Sequence, residues 1–137
     1  MHRAIAAAIL VVTSAANAEP QPFTGNWYID LRNQTERARQ AECGGASFEL
    51  TQDKDRVTGT HSMATVDCGR VNEGEPDSVK GIVINGVAVL SVTSGRNGAI
   101  ILGTARLRDG KLHWQSREDI RPGEPEGDSP LILHSGV

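Results

Sequence analysis

Long apolar runs and an excess of basic residues are both missing from most of the sequence, and each absence excludes a class of function. After residues 4–12, no apolar stretch approaches the roughly 20 residues that a membrane-spanning helix needs. The chain carries 14 basic and 17 acidic residues, for a net charge of −3. A mildly acidic chain with mixed signs is a poor ligand for nucleic acid. We therefore expect neither a membrane span nor a nucleic-acid partner.

Helical periodicity is also missing. Apart from one or two turns at residues 35–41, apolar residues do not recur at the three- and four-residue spacing of an amphipathic helix. Short alternating runs take its place, separated by Gly, Asn and Asp. Such runs indicate an all-β domain.

The N-terminus has the plan of a secretory signal peptide. A short basic start is followed by the apolar run 4–12 and by a small-x-small cleavage site at Ala16-Asn17-Ala18. A first helix of the fold is the alternative, but nothing in residues 1–18 is amphipathic. Cleavage leaves residues 19–137 as a single domain and removes one basic residue, so the net charge becomes about −4. We predict a periplasmic or secreted protein.

Cysteine is scarce, with only Cys43 and Cys68 in the chain. An even pair in an exported protein predicts a disulfide, and two free thiols are the alternative. Two cysteines alone do not make a structural zinc site, and no histidine lies at zinc-finger spacing. We therefore expect neither a metal nor a cofactor.

Three turn signals predict how the strands pair. Asn85-Gly86, Asn97-Gly98 and Asp109-Gly110 each favour a two-residue hairpin turn with positive φ at both positions. The second of these turns places Ala88 opposite Leu107 and Leu90 opposite Ala105. Because opposed residues share a face of the sheet, the three turns together predict one core face made of apolar residues and glycines: Val79, Gly81, Val83, Ala88, Leu90, Val92, Gly103, Ala105, Leu107, Leu112 and Trp114.

Earlier segments show the same alternation, at residues 26–31, 47–51 and 57–63. A last strand at residues 131–135 would pair with the first. About eight antiparallel strands in sequence order predict an up-and-down meander that closes into a small barrel. An open sandwich is the alternative, but the short connections between sequence neighbours favour the meander.

The long connections of such a meander all fall at one end of the barrel. Residues 32–45, 64–77 and 117–130 lie there, whereas the connections at the other end are tight turns. Cys43 and Cys68 belong to the first two long connections, so their disulfide would tie both over the barrel mouth. Ordered loops on a rigid scaffold and barrel mouths are common ligand sites.

Two short stretches resemble a known class of barrels. "FTGNWYIDL" (residues 23–31) and "VTGTH" (residues 57–61) resemble avidin-type barrels, in which a T-G-x-W-x-x-D-L strand precedes a T-G-T-aromatic strand. The Gly25-x-Trp27 start also resembles lipocalins, within the same calycin-type group. The resemblance implies a small β-barrel. In avidins an Asn, a Ser and a Tyr bind biotin at or near the positions of Ile29, Asn33 and His61. Because these three residues differ here, we expect a ligand other than biotin.

The same features resemble a second group, the periplasmic inhibitors of bacterial metalloproteases. The shared features are the export signal, the Gly25-x-Trp27 start and the cysteine pair. This resemblance implies a free N-terminal segment, here residues 19–22, that enters the protease cleft. Its prolines keep such a segment extended.

No catalytic constellation is evident, so we expect a binding protein and not an enzyme. His61 is the one titratable residue on the inward face, and a core histidine bonded to backbone or water is its alternative role. The first hypothesis is a small-molecule binder with its site at the barrel mouth. The alternative is a protein-binding module such as a protease or lysozyme inhibitor. The residues expected to line the small-molecule site are Leu31, Asn33, His61, Met63 and Trp114.

An apolar patch is predicted on the outer wall of the barrel. An exposed patch of this size is unusual on a soluble monomer. It predicts a homo-oligomer, as in many avidin-like barrels. We call it the outer apolar patch, and its residues are Ile82, Ile84, Val87, Val89, Ile100 and Leu102.

Overall fold

A computed structural model describes residues 20–137, which contain nine strands and one short helix. The predicted signal peptide lies outside these residues. The helix is α1 (Gln34–Ala38). The strands are β1 (Gly25–Asp30), β2 (Cys43–Asp53), β3 (Arg56–Val66), β4 (Val71–Asn72), β5 (Val79–Ile84), β6 (Val87–Thr93), β7 (Ile100–Arg108), β8 (Lys111–Arg121) and β9 (Ser135–Gly136). No helix within residues 20–137 is long and apolar enough to cross a membrane.

The strands form one antiparallel sheet that curls into a nearly closed barrel, which confirms the predicted fold class. Eight strands follow one another as neighbours in the order β1-β2-β3-β5-β6-β7-β8-β9, and β4 pairs with β3 beside this path. Within residues 20–137, the backbone of β1 pairs with β2 alone. On its other side β1 lies against β9. The Ile29 side chain is so close to Gly136 that a Cβ atom built there would lie 2.8 Å from Ile29 Cδ1.

Two of the three predicted turns set the register as expected. At Asn85-Gly86 both residues have positive φ, at 50° and 77°, and Ile84 pairs with Val87. At Asp109-Gly110 the φ values are 52° and 73°, and Ala105 pairs with Trp114. These turns lie at one end of the barrel, which we call the tight-turn end. The opposite end carries the long connections, and we call it the open end.

The register between β6 and β7 differs from the prediction by two residues. Leu90 lies opposite Gly103 instead of Ala105, and Ala88 lies opposite Ala105 instead of Leu107. The reason is a six-residue connection, 94–99, in place of a two-residue turn at Asn97-Gly98. The Ser94 backbone accepts from Gly98 N–H at 3.0 Å and donates to Ala99 at 2.8 Å, which closes the wider loop. A slip of two residues keeps every side chain on its face of the sheet.

The predicted core face is therefore confirmed despite the slip. Its apolar residues join the contributions of the earlier strands, such as Phe48 of β2 and Val57 of β3. Phe23, just before β1, closes the core at the tight-turn end with 1% of its surface exposed. The confirmed core-face residues that are fully buried are Val79, Ala88, Leu90, Val92, Ala105, Leu112 and Trp114.

The C-terminal strand differs from the prediction in both place and partner. Residues 131–133 are not a strand, and the strand that follows them, β9, pairs with β8 instead of β1. Leu131, Ile132 and Leu133 are consecutive and all buried, at 6%, 9% and 3% exposure. A regular strand would turn alternate side chains to opposite faces. Burying three in a row needs irregular backbone, and Leu131 accordingly has a φ of 48°.

Candidate functional site

The interior at the open end is occupied by the chain's own C-terminal segment. We call residues 130–136 the C-terminal strap. It enters beside the loop 94–99, runs past β3, and continues antiparallel to β8, where Ser116 N–H donates to the His134 carbonyl at 2.8 Å. The side chains of Ile132 and Leu133 belong to the same core cluster as Phe48 and Trp114.

His61 is fully buried on β3 and binds the strap. Its Nε2 accepts a hydrogen bond from Leu133 N–H at 3.1 Å, so its Nδ1 carries the proton and donates to the Ser47 carbonyl at 2.9 Å. The ring stacks on Phe48 with the centroids 4.4 Å apart. Burial lowers the pKa of His61 from 6.5 to about 4, partly offset by the bond to Ser47. The imidazole is therefore neutral at physiological pH, with both nitrogens engaged.

Three other side chains bind the backbone of the strap. Trp114 Nε1 donates to the Leu133 carbonyl at 2.6 Å, and Asn72 Nδ2 donates to the Leu131 carbonyl at 3.0 Å. Ser94 Oγ donates to the Pro130 carbonyl at 2.7 Å. These polar side chains satisfy backbone groups that have no strand partner, as buried backbone requires. The strap thus binds His61 and Trp114, two of the residues that the sequence predicted for a ligand site.

The five residues predicted to line a ligand site do not all come together. His61 and Trp114 meet at Leu133 of the strap, and Met63 packs against the same core. Leu31 lies on the surface just after β1, 39% exposed. Asn33 caps α1, because its Oδ1 accepts from Glu36 N–H at 2.9 Å while Glu36 returns a bond to Asn33 N–H.

The predicted disulfide between Cys43 and Cys68 is formed, with Cα atoms 5.3 Å apart. Cys43 is the first residue of β2 and Cys68 lies two residues beyond β3, so the bond ties the open ends of one hairpin and not two separate long loops. Beside it, Arg39, the residue after α1, donates to both carboxylate oxygens of Asp67, at 2.8 and 2.7 Å. This ion pair lowers the pKa of Asp67 and holds the connection between β1 and β2 against the hairpin.

A cleft of about 260 Å³ lies on the outer wall next to the disulfide. We call it the disulfide-end cleft. Tyr28 on β1 forms one wall and is 63% exposed, and Val71 on β4 forms the other wall at 39% exposure. Between them the floor is made of small residues on β2 and β3, namely Gly45, Ser47, Ser62 and Ala64.

Both the depth and the polarity of this cleft follow from the floor residues. A Cβ atom at Gly45 would collide with the Tyr28 ring, so the ring lies over β2 only because that position is glycine. Ser47 and Ser62 face each other across β2 and β3, with their hydroxyl oxygens 2.8 Å apart. Sequence reasoning missed this site because it searched the inward face. The outward row Tyr28, Ser47 and Ser62 was the signal available.

Comparisons with models of protein families, with curated proteins and with solved structures found no match to this chain.

Proposed function

We propose that this chain is an exported β-barrel protein that binds a small molecule in the disulfide-end cleft. The observation that carries this proposal is the exposed Tyr28 ring held above a floor of small side chains. An aromatic ring that large costs free energy in water and offers a broad apolar surface to a ligand. The cleft lies at the open end next to the disulfide, but on the outer wall and not inside the barrel mouth, where the sequence predicted a site. Among the predicted ligand residues, Met63 borders it.

The lining indicates the kind of ligand. Tyr28, Ala64 and Val71 provide apolar walls, while the paired hydroxyls of Ser47 and Ser62 each have capacity for a further hydrogen bond. A small, largely apolar molecule with one hydroxyl group matches this arrangement, because the lining also includes the Glu73 carboxylate, which accepts hydrogen bonds. Binding, and not catalysis, also agrees with the state of His61, whose two ring nitrogens both serve the backbone.

The test is a ligand screen with Tyr28→Ala as the discriminating variant. Compounds that raise the melting temperature of the wild-type protein should lose at least tenfold in affinity for Tyr28→Ala, because the ring supplies one wall. Tyr28 is the only tyrosine in the chain, so its ring NMR signals are assigned without ambiguity. These signals should shift on binding because the ligand contacts the ring. The matched control is Ile120→Ala on β8, an apolar residue of similar exposure at 53% that lies outside the cleft. Equal losses in both variants, or a ligand that leaves the Tyr28 signals unmoved, would place the site elsewhere.

The disulfide and the sequence of residues 1–18 support the exported part of this proposal. The disulfide requires an oxidising compartment to form and persist, and the N-terminal 18 residues have signal-peptide character. The protein is accordingly proposed to work in the periplasm or outside the cell.

A second candidate function is protein binding through the outer apolar patch, with another copy of the chain as the partner. Ile82 and Ile84 on β5 are 44% and 51% exposed. The rest of the patch, on β6 and β7, is partly exposed.

The alternative function predicted from the sequence, a protease inhibitor, depends on residues 19–22. Pro20 and Pro22 are exposed and precede the buried Phe23, whereas Glu19 lies outside the described residues.

A further inference from the structure

Basic side chains gather on the outer face of β7 and β8. Arg106 and Arg108 point outward from β7, and His113 and Arg117 belong to β8. Together with polar neighbours they line a groove of about 350 Å³ that we call the cationic groove. Its other outward lining residues are Thr104, Gln115, Ser135 and Gly136. No acidic residue lines the groove.

The strand register sets basic residues against one another. Arg106 lies directly opposite His113, and Arg108 lies directly opposite Lys111. The like charges of Arg108 and Lys111 in opposed positions destabilise the sheet. The chain as a whole is acidic, with a net charge of −3. The basic side chains of the groove are therefore not explained by the overall composition.

No carboxylate of the described residues forms an ion pair with a basic side chain of the groove. The three ion pairs found within residues 20–137 use Arg32, Arg39 and Arg96, all outside it. Arg117 Nε donates to Thr104 Oγ1 at 3.1 Å, a neutral partner that holds the guanidinium over β7 and leaves its charge uncompensated. The groove therefore presents several guanidinium groups whose hydrogen-bond donors face solvent.

We infer that the cationic groove binds a ligand that carries phosphate or sulfate ester groups. Guanidinium groups bind such oxyanions through paired, charge-assisted hydrogen bonds. Alternate residues of one strand are about 7 Å apart. Arg108, Arg106 and the Thr104 position, where Arg117 is held, thus form a row with room for more than one anionic group. Hydroxyls at Thr104 and Ser135 and the amide of Gln115 add uncharged partners along the same row.

Calorimetric titration with inositol hexakisphosphate tests this site independently of the disulfide-end cleft. Wild-type protein should bind at 20 mM NaCl and more weakly at 150 mM, because the contact is electrostatic. The double variant Arg106→Gln, Arg117→Gln should lose at least tenfold in affinity. The matched control Arg37→Gln removes an exposed cation of α1 and should stay within twofold of wild type. Melting curves of both variants check that the fold is retained.

A second arm distinguishes free from lipid-borne phosphate. Sedimentation with vesicles of phosphatidylcholine containing 30% phosphatidylglycerol, in mole terms on the order of common anionic membranes, reports binding to lipid headgroups. Binding of inositol hexakisphosphate that the double variant loses supports a soluble phosphate or sulfate ester. Vesicle binding that the same variant loses supports a headgroup. No binding in either arm at 20 mM NaCl, or equal losses in Arg37→Gln, would overturn the proposal.

Discussion

At the scale of single residues, the neutral ring of His61 couples the barrel wall to the C-terminal strap. Its Nε2 must be unprotonated to accept the Leu133 N–H, and no charged side chain is among the causes of its lowered pKa. The ring lies beside Phe48 and the Ser47 carbonyl, and the backbone N–H of His61 donates to the Ser78 hydroxyl at 3.1 Å. Protonation would place two donors, Nε2–H and the Leu133 N–H, face to face. The ring is thus a proton-sensitive contact.

Acid should therefore destabilise the protein through His61. The folded-state pKa of about 4 lies below the unfolded value of 6.5, so the unfolded chain binds a proton first as the pH falls. The stabilisation is complete above about pH 6.5 and is lost progressively down to about pH 4. Between pH 7 and pH 5 the loss should be about 2 kcal/mol. Urea denaturation at both pH values measures it.

The control for this prediction is a pair of histidine variants. His61→Gln keeps a donor and an acceptor but does not titrate, so this part of the pH dependence should disappear. His113→Gln, on the exposed face of β8, should retain it. A wild-type protein equally stable at pH 7 and pH 5 would show that His61 does not stay buried in solution.

For Gly103 the sequence predicts the face of the sheet but not what fills the space above the residue. The turn signals put it on the core face, where it adds no apolar side chain and leaves open whether the interior is hollow. In the structure the Trp114 ring covers this position, and a Cβ atom there would collide with the ring. The space above a glycine depends on the rotamer of a residue on the next strand. Alternation along a strand carries no information about that rotamer.

At the scale of elements, the sequence predicted turns more reliably than loops. Asn85-Gly86 and Asp109-Gly110 fix two hairpins because both turn positions take positive φ. Asn97-Gly98 has the same composition, but Ser94 accepts backbone N–H bonds from Arg96 and Asn97 through its side chain and widens the connection. Local hydrogen bonding of this kind competes with the hairpin turn. The preference of a dipeptide does not reveal which of the two wins.

The C-terminal strap is the element whose packing can be tested most directly. Leu133→Ala removes a side chain that is 3% exposed between β3 and β8, while the backbone bonds to His61 and Trp114 remain possible. The lost burial and the cavity should lower the free energy of unfolding by about 3 kcal/mol. Chemical denaturation at pH 7 provides the measurement.

Ile120→Ala is the matched control for the strap. Ile120 is a bulky aliphatic residue on β8 that is 53% exposed, so its truncation should change stability by less than about 0.5 kcal/mol. If the two variants were equally stable, the strap would not be packed in the barrel in solution. The interior at the open end would then be accessible to a ligand, as the sequence first suggested.

At the scale of the whole molecule, the architecture follows from sequence, whereas the candidate sites depend on how surfaces come together. Alternation and two turns were enough for the meander and its core. The disulfide-end cleft joins residues of β1, β2, β3 and β4, and the cationic groove joins β7, β8 and β9. Both lie on the outer face, where a polar side chain is exposed to water whichever residues stand beside it. A pattern that distinguishes inside from outside cannot rank one polar surface above another.

The outer apolar patch is the exception, because apolar residues on an outward face conflict with the pattern itself. Ile82 and Ile84 stay 44% and 51% exposed on β5, beside the partly exposed residues of β6 and β7. Covering them with the same patch of a second copy would remove apolar surface from water on both copies, the arrangement of a symmetric dimer. We expect wild-type protein to be a dimer or larger by light scattering at micromolar concentration, and Ile82→Lys to be a monomer because the charge would be buried unpaired. Thr51→Lys, which adds the same charge on the exposed face of β2, should leave the assembly unchanged. A monomeric wild type at that concentration would contradict self-association, and the patch would then have to be covered by a different partner.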